Sequence, residues 1–276
     1  MTPRTLLAVA GTLLFTSLPT SAAIAGKPIY LGSRQHSGQT FDAVDHTPLQ
    51  RLLARYVDGD GFVDYTAWHA SRSDRTALQR YIGSLSAVDL QARSSRAARL
   101  AFWINAYNAV TLEGILREYP TSSIRNHTAK LVGYNIWKDL QLYVGGRPWS
   151  LDAMEHEVLR KMGEPRIHFA IVCASIGCPR LRNEAYRPHR LGEQLEANAR
   201  DFFGRRQNFR YDAGQQTVYL SSILHWFGAD FGPSQASQLQ AIARWVPENA
   251  RSAVAGGRLR VRFTDYNWQL NDQRRR

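Results

Sequence analysis

The sequence predicts an α+β fold, a helix-rich single domain with a small, mainly antiparallel sheet. Segments of helical period outnumber segments of strand character, and the strand segments cluster late in the chain. The third observation is size. Of 276 residues, about 250 remain once an N-terminal leader is set aside, enough to bury about 70–75% of the unfolded surface in one core.

The leader is residues 1–25. One positive charge, Arg4, precedes an apolar run from Leu6 to Leu18, and Ala23-Ile24-Ala25 before Gly26 has the small-residue form of a cleavage site. Gly11, Thr12, Thr16 and Ser17 interrupt the run, which falls short of a span of about 20 apolar residues, and no Cys follows it to carry a lipid. These features predict a cleaved signal peptide and a soluble, periplasmic or secreted protein with no transmembrane segment after cleavage. Residues 26–46 read as a flexible N-terminal segment, 47–271 as the domain and 272–276 as a disordered basic tail.

Thr47 before Pro48 reads as an N-cap with proline at the first helical position, opening a helix to about residue 57. Asp58-Gly59-Asp60-Gly61 ends it as a turn; the acids lack the spacing of a calcium loop. Helices follow at about 67–85 and 95–118. The second is apolar around most of its circumference, which marks a buried central helix. Asn105 and Asn108 share a face within it and need hydrogen-bond partners, either as structural hubs or as the lining of a pocket. Ser150 and Asp152 open a helix to about 161 that Gly163 closes. Residues 167–172 read as a short apolar strand. A helix at 191–203, a hairpin of 208–212 with 217–221, helices at 222–227 and 235–246, and a strand near 258–263 complete the order.

The chain holds 35 Lys and Arg against 23 Asp and Glu, a formal charge of +12. Only Lys27, Lys130, Lys138 and Lys161 are lysines. The arginines are scattered among acids without a nucleic-acid motif, so they predict a solvated basic surface, weakly attracted to anionic envelope surfaces, rather than a specific nucleic-acid partner. No nucleotide-binding glycine motif or serine-hydrolase elbow occurs, and the pattern identifies no cofactor.

Chemistry concentrates in residues 165–179. Cys173 and Cys178, the two cysteines of the chain, flank Ser175 and Gly177 after the apolar run, with His168 inside it. A loop on a rigid support is where reactive groups are both placed and reachable. Three readings stand open. A Cys173–Cys178 disulfide would shape the turn, contributing less than the ~3 kcal/mol of a 15-residue loop. Cys173 could act as a nucleophile with a histidine base. Both thiols with His168 or His156 could hold a metal, although the spacing is not that of zinc modules. If 167–172 is a strand, His168 and Cys173 face opposite sides about 16 Å apart, so His156, with Glu155 beside it and Arg160 one turn on, is an equally good base.

Asp60–Tyr65, Ala101–Ala109, Leu151–Arg160, Pro165–Pro179, Leu220–Phe231 and Asp265–Asn271, taken in order, resemble the motifs of domain-of-unknown-function family 547 over about residues 50–271. The resemblance implies recurrent polar positions at Asn105, Asn108, Glu155, His156, Arg160, His168, Cys173, Ser175 and Cys178, and no assigned activity. Glu157 stands where the family has a small residue, and Asn267 where it has Asp.

Two functions are expected. The first is a thiol-dependent enzyme or a degenerate relative of one, with Cys173 the nucleophile, His168 or His156 the base and Asn105 or Asn108 an orienting or oxyanion-stabilising amide. The second is a non-catalytic periplasmic module that binds a small molecule or an envelope protein and carries a structural disulfide.

Overall fold

The structure is a computed structural model that describes residues 27–128 and 134–276; the expected signal peptide lies outside the described residues. In chain order the elements are β1 (Ile29–Leu31), α1 (Thr47–Tyr56), α2 (Tyr65–Ala70), α3 (Arg72–Ser84), α4 (Arg96–Glu118), α5 (Ile136–Asp139), β2 (Leu140–Val144), β3 (Arg147–Ser150) and α6 (Leu151–Ala153). Then come α7 (Leu191–Gly204), β4 (Phe209–Asp212), β5 (Thr217–Ser221), α8 (Ser222–Trp226), α9 (Gln235–Ile242), α10 (Glu248–Ala255) and β6 (Arg260–Thr264). The fold is α+β and helix-rich, as expected. Among the described residues its strands form two three-stranded sheets rather than one, and both are mixed. Each contains an antiparallel pair, β2–β3 or β4–β5, and gains a parallel strand from far along the chain, β1 or β6.

α4 is the axis of the larger core. Ser95 caps it by accepting from Ala98 N at 3.1 Å, and every residue from Leu100 to Leu116 is buried. At about 1.5–3 kcal/mol for each large apolar side chain buried, this one helix anchors much of the molecule. Gly114 lets α5 approach it: a Cβ there would lie 3.0 Å from Ile136 Cγ2. A second core gathers Phe169, Phe202, Phe203, Phe209, Leu239 and Trp245 between α7, the second sheet and α9.

Several expectations are corrected. Residues 26–46 are not a loose tail throughout: β1 pairs with β2, Phe41 packs edge-on against Phe102, and buried His46 bonds Tyr81 Oη at 2.8 Å. In the basic tail, Arg274 pairs with buried Asp272, and Arg276 with Asp58 and Asp60. The helix expected at 67–85 breaks at Ser71, whose hydroxyl caps α3 by accepting from Asp74 N. The helix opened by Ser150 turns π-helical over Met154–Leu159 before Gly163 closes it with φ +64°.

The expected strand at 167–172 is not one. Pro165–Phe169 forms a 3-10 turn, started by Glu164, whose side chain accepts from Arg166 N. The apolar run is buried because it threads between the two cores, and side-chain amides take the place of a strand neighbour. Asn108 donates to Ala170 O at 3.0 Å and accepts from Val172 N at 3.0 Å, while Asn198 donates to Phe169 O. Buried backbone groups are thereby satisfied without a ladder.

Candidate active site

The loop after this run carries both thiols. Ala174 sits at φ +57°, an uncommon conformation for a residue with a Cβ and therefore one that the surroundings must hold. The segment after β6 does so. Ile176 N donates to Gln269 O and Gly177 N to Asn267 O, both at 2.8 Å, and Asn271 N donates to Ala174 O at 3.1 Å. A Cβ on Gly177 would meet Asn267 N at 2.9 Å, so the glycine is what permits this close approach.

Held this way, the loop wraps around the Cys178 sulfur. Cys173 N donates to Cys178 Sγ at 2.8 Å, and Tyr266 Oη lies 3.1 Å from Cys178 Sγ, to which it can donate, and 3.1 Å from Cys173 Sγ. Ser175 Oγ stands 3.7 Å from Cys178 Sγ, 2.9 Å from Cys173 Sγ and 3.3 Å from Tyr266 Oη. Burial alone would push the Cys178 thiol up, but hydrogen bonds from Cys173 and Tyr266 outweigh it and bring it to about 6. Burial pushes Cys173 up, and the neighbouring Cys178 sulfur adds to the rise. The two thiols therefore differ in kind, with Cys178 the readier thiolate. Both are free, and the expected Cys173–Cys178 disulfide is not formed.

Both sulfurs open onto a cavity of about 170 Å³ that Tyr107, Trp137, Glu155, His168, Trp226, Phe227, Tyr266 and Trp268 also line. α4 contributes Tyr107, the π-helical run Glu155, α8 Trp226, and the segment after β6 Tyr266 and Trp268. A π-helical turn inside a helix is a recurrent feature of functional sites, and here it carries the cavity's carboxyl group. Tyr107 Oη donates to Glu155 Oε2 at 3.2 Å, and burial pushes that carboxyl up.

The 3-10 turn shortens the path from His168 to Cys173, so both reach the cavity despite the separation that a strand would impose. His168 does not bond either sulfur among the described residues. Its Nε2 lies 2.7 Å from Asp230 Oδ2, and its ring stacks on Phe227 with centroids 4.3 Å apart. Arg160 grips Asp230 with Nε and Nη2 at 2.7 and 2.8 Å. These bonds hold the Asp230 carboxyl at about 2, and burial lowers His168.

The remaining candidates lie away from the sulfurs. His156 is exposed, 3.2 Å from Arg160 Nη1 and 3.7 Å from Asp152, and does not line the cavity. Asn105 is committed to Tyr186, donating to its carbonyl at 2.8 Å and accepting from its N–H at 2.9 Å. With Asn108 likewise bonded to Ala170 and Val172, both amides are backbone clamps, and neither faces the cavity. Among the described residues no three His, Cys, Asp or Glu side chains gather as a metal-ligand set. Sequence reasoning missed Tyr266, Trp226 and Asp230 as site residues. Tyr266 was visible only as part of a late motif, and nothing in its spacing from Cys178 marks a contact across 88 positions.

No helix among the described residues is long and apolar enough to cross a membrane. No curated protein and no solved structure matches the chain. Residues 91–203 match the family described as a protein of unknown function, DUF547, and the matched stretch includes α4, Glu155, His168 and both cysteines.

Proposed function

We propose that the protein is a thiol-dependent enzyme whose nucleophile is Cys178, acting on a small substrate held in the aromatic-walled cavity. The observation that supports this is the convergence of the Cys173 amide and the Tyr266 hydroxyl on one sulfur. Donors aimed at a sulfur stabilise the thiolate, which is the nucleophilic form. Cys178 takes the role that the sequence suggested for Cys173. His168, held at Asp230, is a wall of the site rather than the base. In the reaction the sulfur lone pair forms a bond to the substrate's electrophilic carbon, and the bond to the leaving group breaks. An exported setting is supported by the leader pattern of residues 1–25.

The second reading, a non-catalytic binding module, is favoured by the same aromatic walls; it needs the cavity but no reactive thiol. Iodoacetamide labelling of the native protein, followed by peptide mass spectrometry across pH 4–10, separates the two. The enzyme reading expects Cys178 to label first, with a midpoint near 6. A rate that climbs only above about 8, the range of an ordinary thiol, leaves the binding-module reading.

A further inference from the structure

The cavity differs from the rest of the molecule in charge. The chain carries 35 Lys and Arg against 23 acids, yet among the described residues no Lys or Arg lines this cavity. Its walls present π faces instead. Trp226, Tyr266 and Trp268 form one cluster, with centroids 4.9 Å apart for Trp226–Tyr266, 5.8 Å for Trp226–Trp268 and 4.5 Å for Tyr266–Trp268. The same cavity is lined by the Glu155 carboxyl, with Tyr107 its hydrogen-bond donor among the described residues, and by the electron-rich Cys178 sulfur beside Tyr266. His156 and Arg160 lie near Glu155, but His156 is exposed against Asp152 and Arg160, and both oxygens of Asp230 hold the Arg160 guanidinium, with His168 also on Asp230.

We propose that the cavity recognises a small alkylammonium group, which sits on the Trp226–Tyr266–Trp268 faces and against the Glu155 carboxyl. As a substrate class this rests on the reading of Cys178 as the nucleophile; as a binding site it does not. Ring faces attract cations through their quadrupole, most strongly where water is excluded. A partly buried carboxylate that no cation bonds directly is costly, and an ammonium group seated against it offsets that cost. A neutral aromatic ligand would fill the walls but leave Glu155 uncompensated, and an anion would meet both the carboxyl and the thiolate. Rings of this wall already take cations: Arg125 lies 5.2 Å from the Trp268 centroid and Arg160 5.4 Å from that of Phe227. Size agrees as well. A cavity of about 150 Å³ holds benzene, so about 170 Å³ suits a quaternary ammonium head.

The test titrates the protein with choline and with its uncharged carbon isostere, dimethylbutanol, following the tryptophan indole N–H resonances. Choline is expected to bind at least about tenfold more tightly, with the shifts confined to a few tryptophans. That preference should fall towards parity in Glu155→Gln and, separately, in the half-exposed Trp226→Leu. Equal binding of the two probes, or no binding of either, overturns the proposal. Cys178 labelling is measured on the same samples. If choline binds selectively while Cys178 stays unreactive, the cation site stands and the enzyme reading falls. If Cys178 reacts and choline shows no preference, the enzyme reading stands and the cation site falls.

Discussion

A single hydroxyl sets much of the chemistry expected of Cys178. Tyr266 Oη is one of the donors around the sulfur, beside the Cys173 thiol and amide and the Ser175 hydroxyl. A hydrogen bond to a charged group contributes about 1.5–3 kcal/mol, and one pKa unit corresponds to about 1.4 kcal/mol. Tyr266→Phe should therefore raise the midpoint of the Cys178 labelling profile by about one to two pH units while leaving the ring in the aromatic cluster. An unchanged midpoint would mean that Cys173 and Ser175 suffice without it. Residues of this kind explain why the site was only half legible in the sequence. Both cysteines, His168 and Glu155 lie within 24 positions and could be read as a cluster of reactive types. Which sulfur is the thiolate depends on Tyr266 and on the loop's curvature, and both are tertiary facts.

At the scale of elements, the site rests on irregular backbone that polar side chains hold in place. Asn108 bonds Ala170 and Val172, Asn105 bonds Tyr186, and Gln194 accepts from Arg187 N and donates to Ala185 O. Such amides are legible as buried polar residues on an apolar helix, but the sequence does not say whether they face a pocket or a chain. Here they face the chain. The apolar run at 167–172 looks like a strand because burial on all sides gives the same pattern whether the neighbour is a ladder or an amide. Asn108→Ala removes two buried bonds and leaves Ala170 O and Val172 N without partners, so a loss of about 2–4 kcal/mol is expected in urea denaturation. Gly177→Ala probes the other support of the loop. A Cβ would press on the backbone of Asn267, so a loss of about 1–3 kcal/mol is expected, together with slower Cys178 labelling as the donors are displaced. Wild-type stability in both variants would mean that the loop is held by neither contact.

Over the whole molecule, helix content and the long central helix were legible because period and capping are local. The β4–β5 hairpin and the strand β6 were legible too, but β1 and the parallel pairings of β1 with β2 and of β6 with β5 were not, because they join segments far apart in sequence. The same long-range packing makes stability depend on pH through groups that no motif marks. His46, in the segment expected to be loose, is 4% exposed, and burial lowers it from the usual 6.5 to about 4. Burial lowers His168 as well. For a histidine depressed in the folded state, the unfolded chain binds the proton more readily. The stability it allows is thus intact above about 6.5 and is lost as pH falls from there through about 4. For His46 the shift corresponds to a loss on the order of 3 kcal/mol at the acid end of that window. Thermal midpoints should therefore decline between pH 6.5 and 4, before most carboxylates titrate. The slope in that window should be shallower in His46→Gln, which keeps polar character at the Tyr81 contact without a titrating ring. A variant whose midpoint follows pH as steeply as the wild type would show that His46 does not govern acid stability, and that the N-terminal segment is not packed as tightly as β1 and Phe41 indicate.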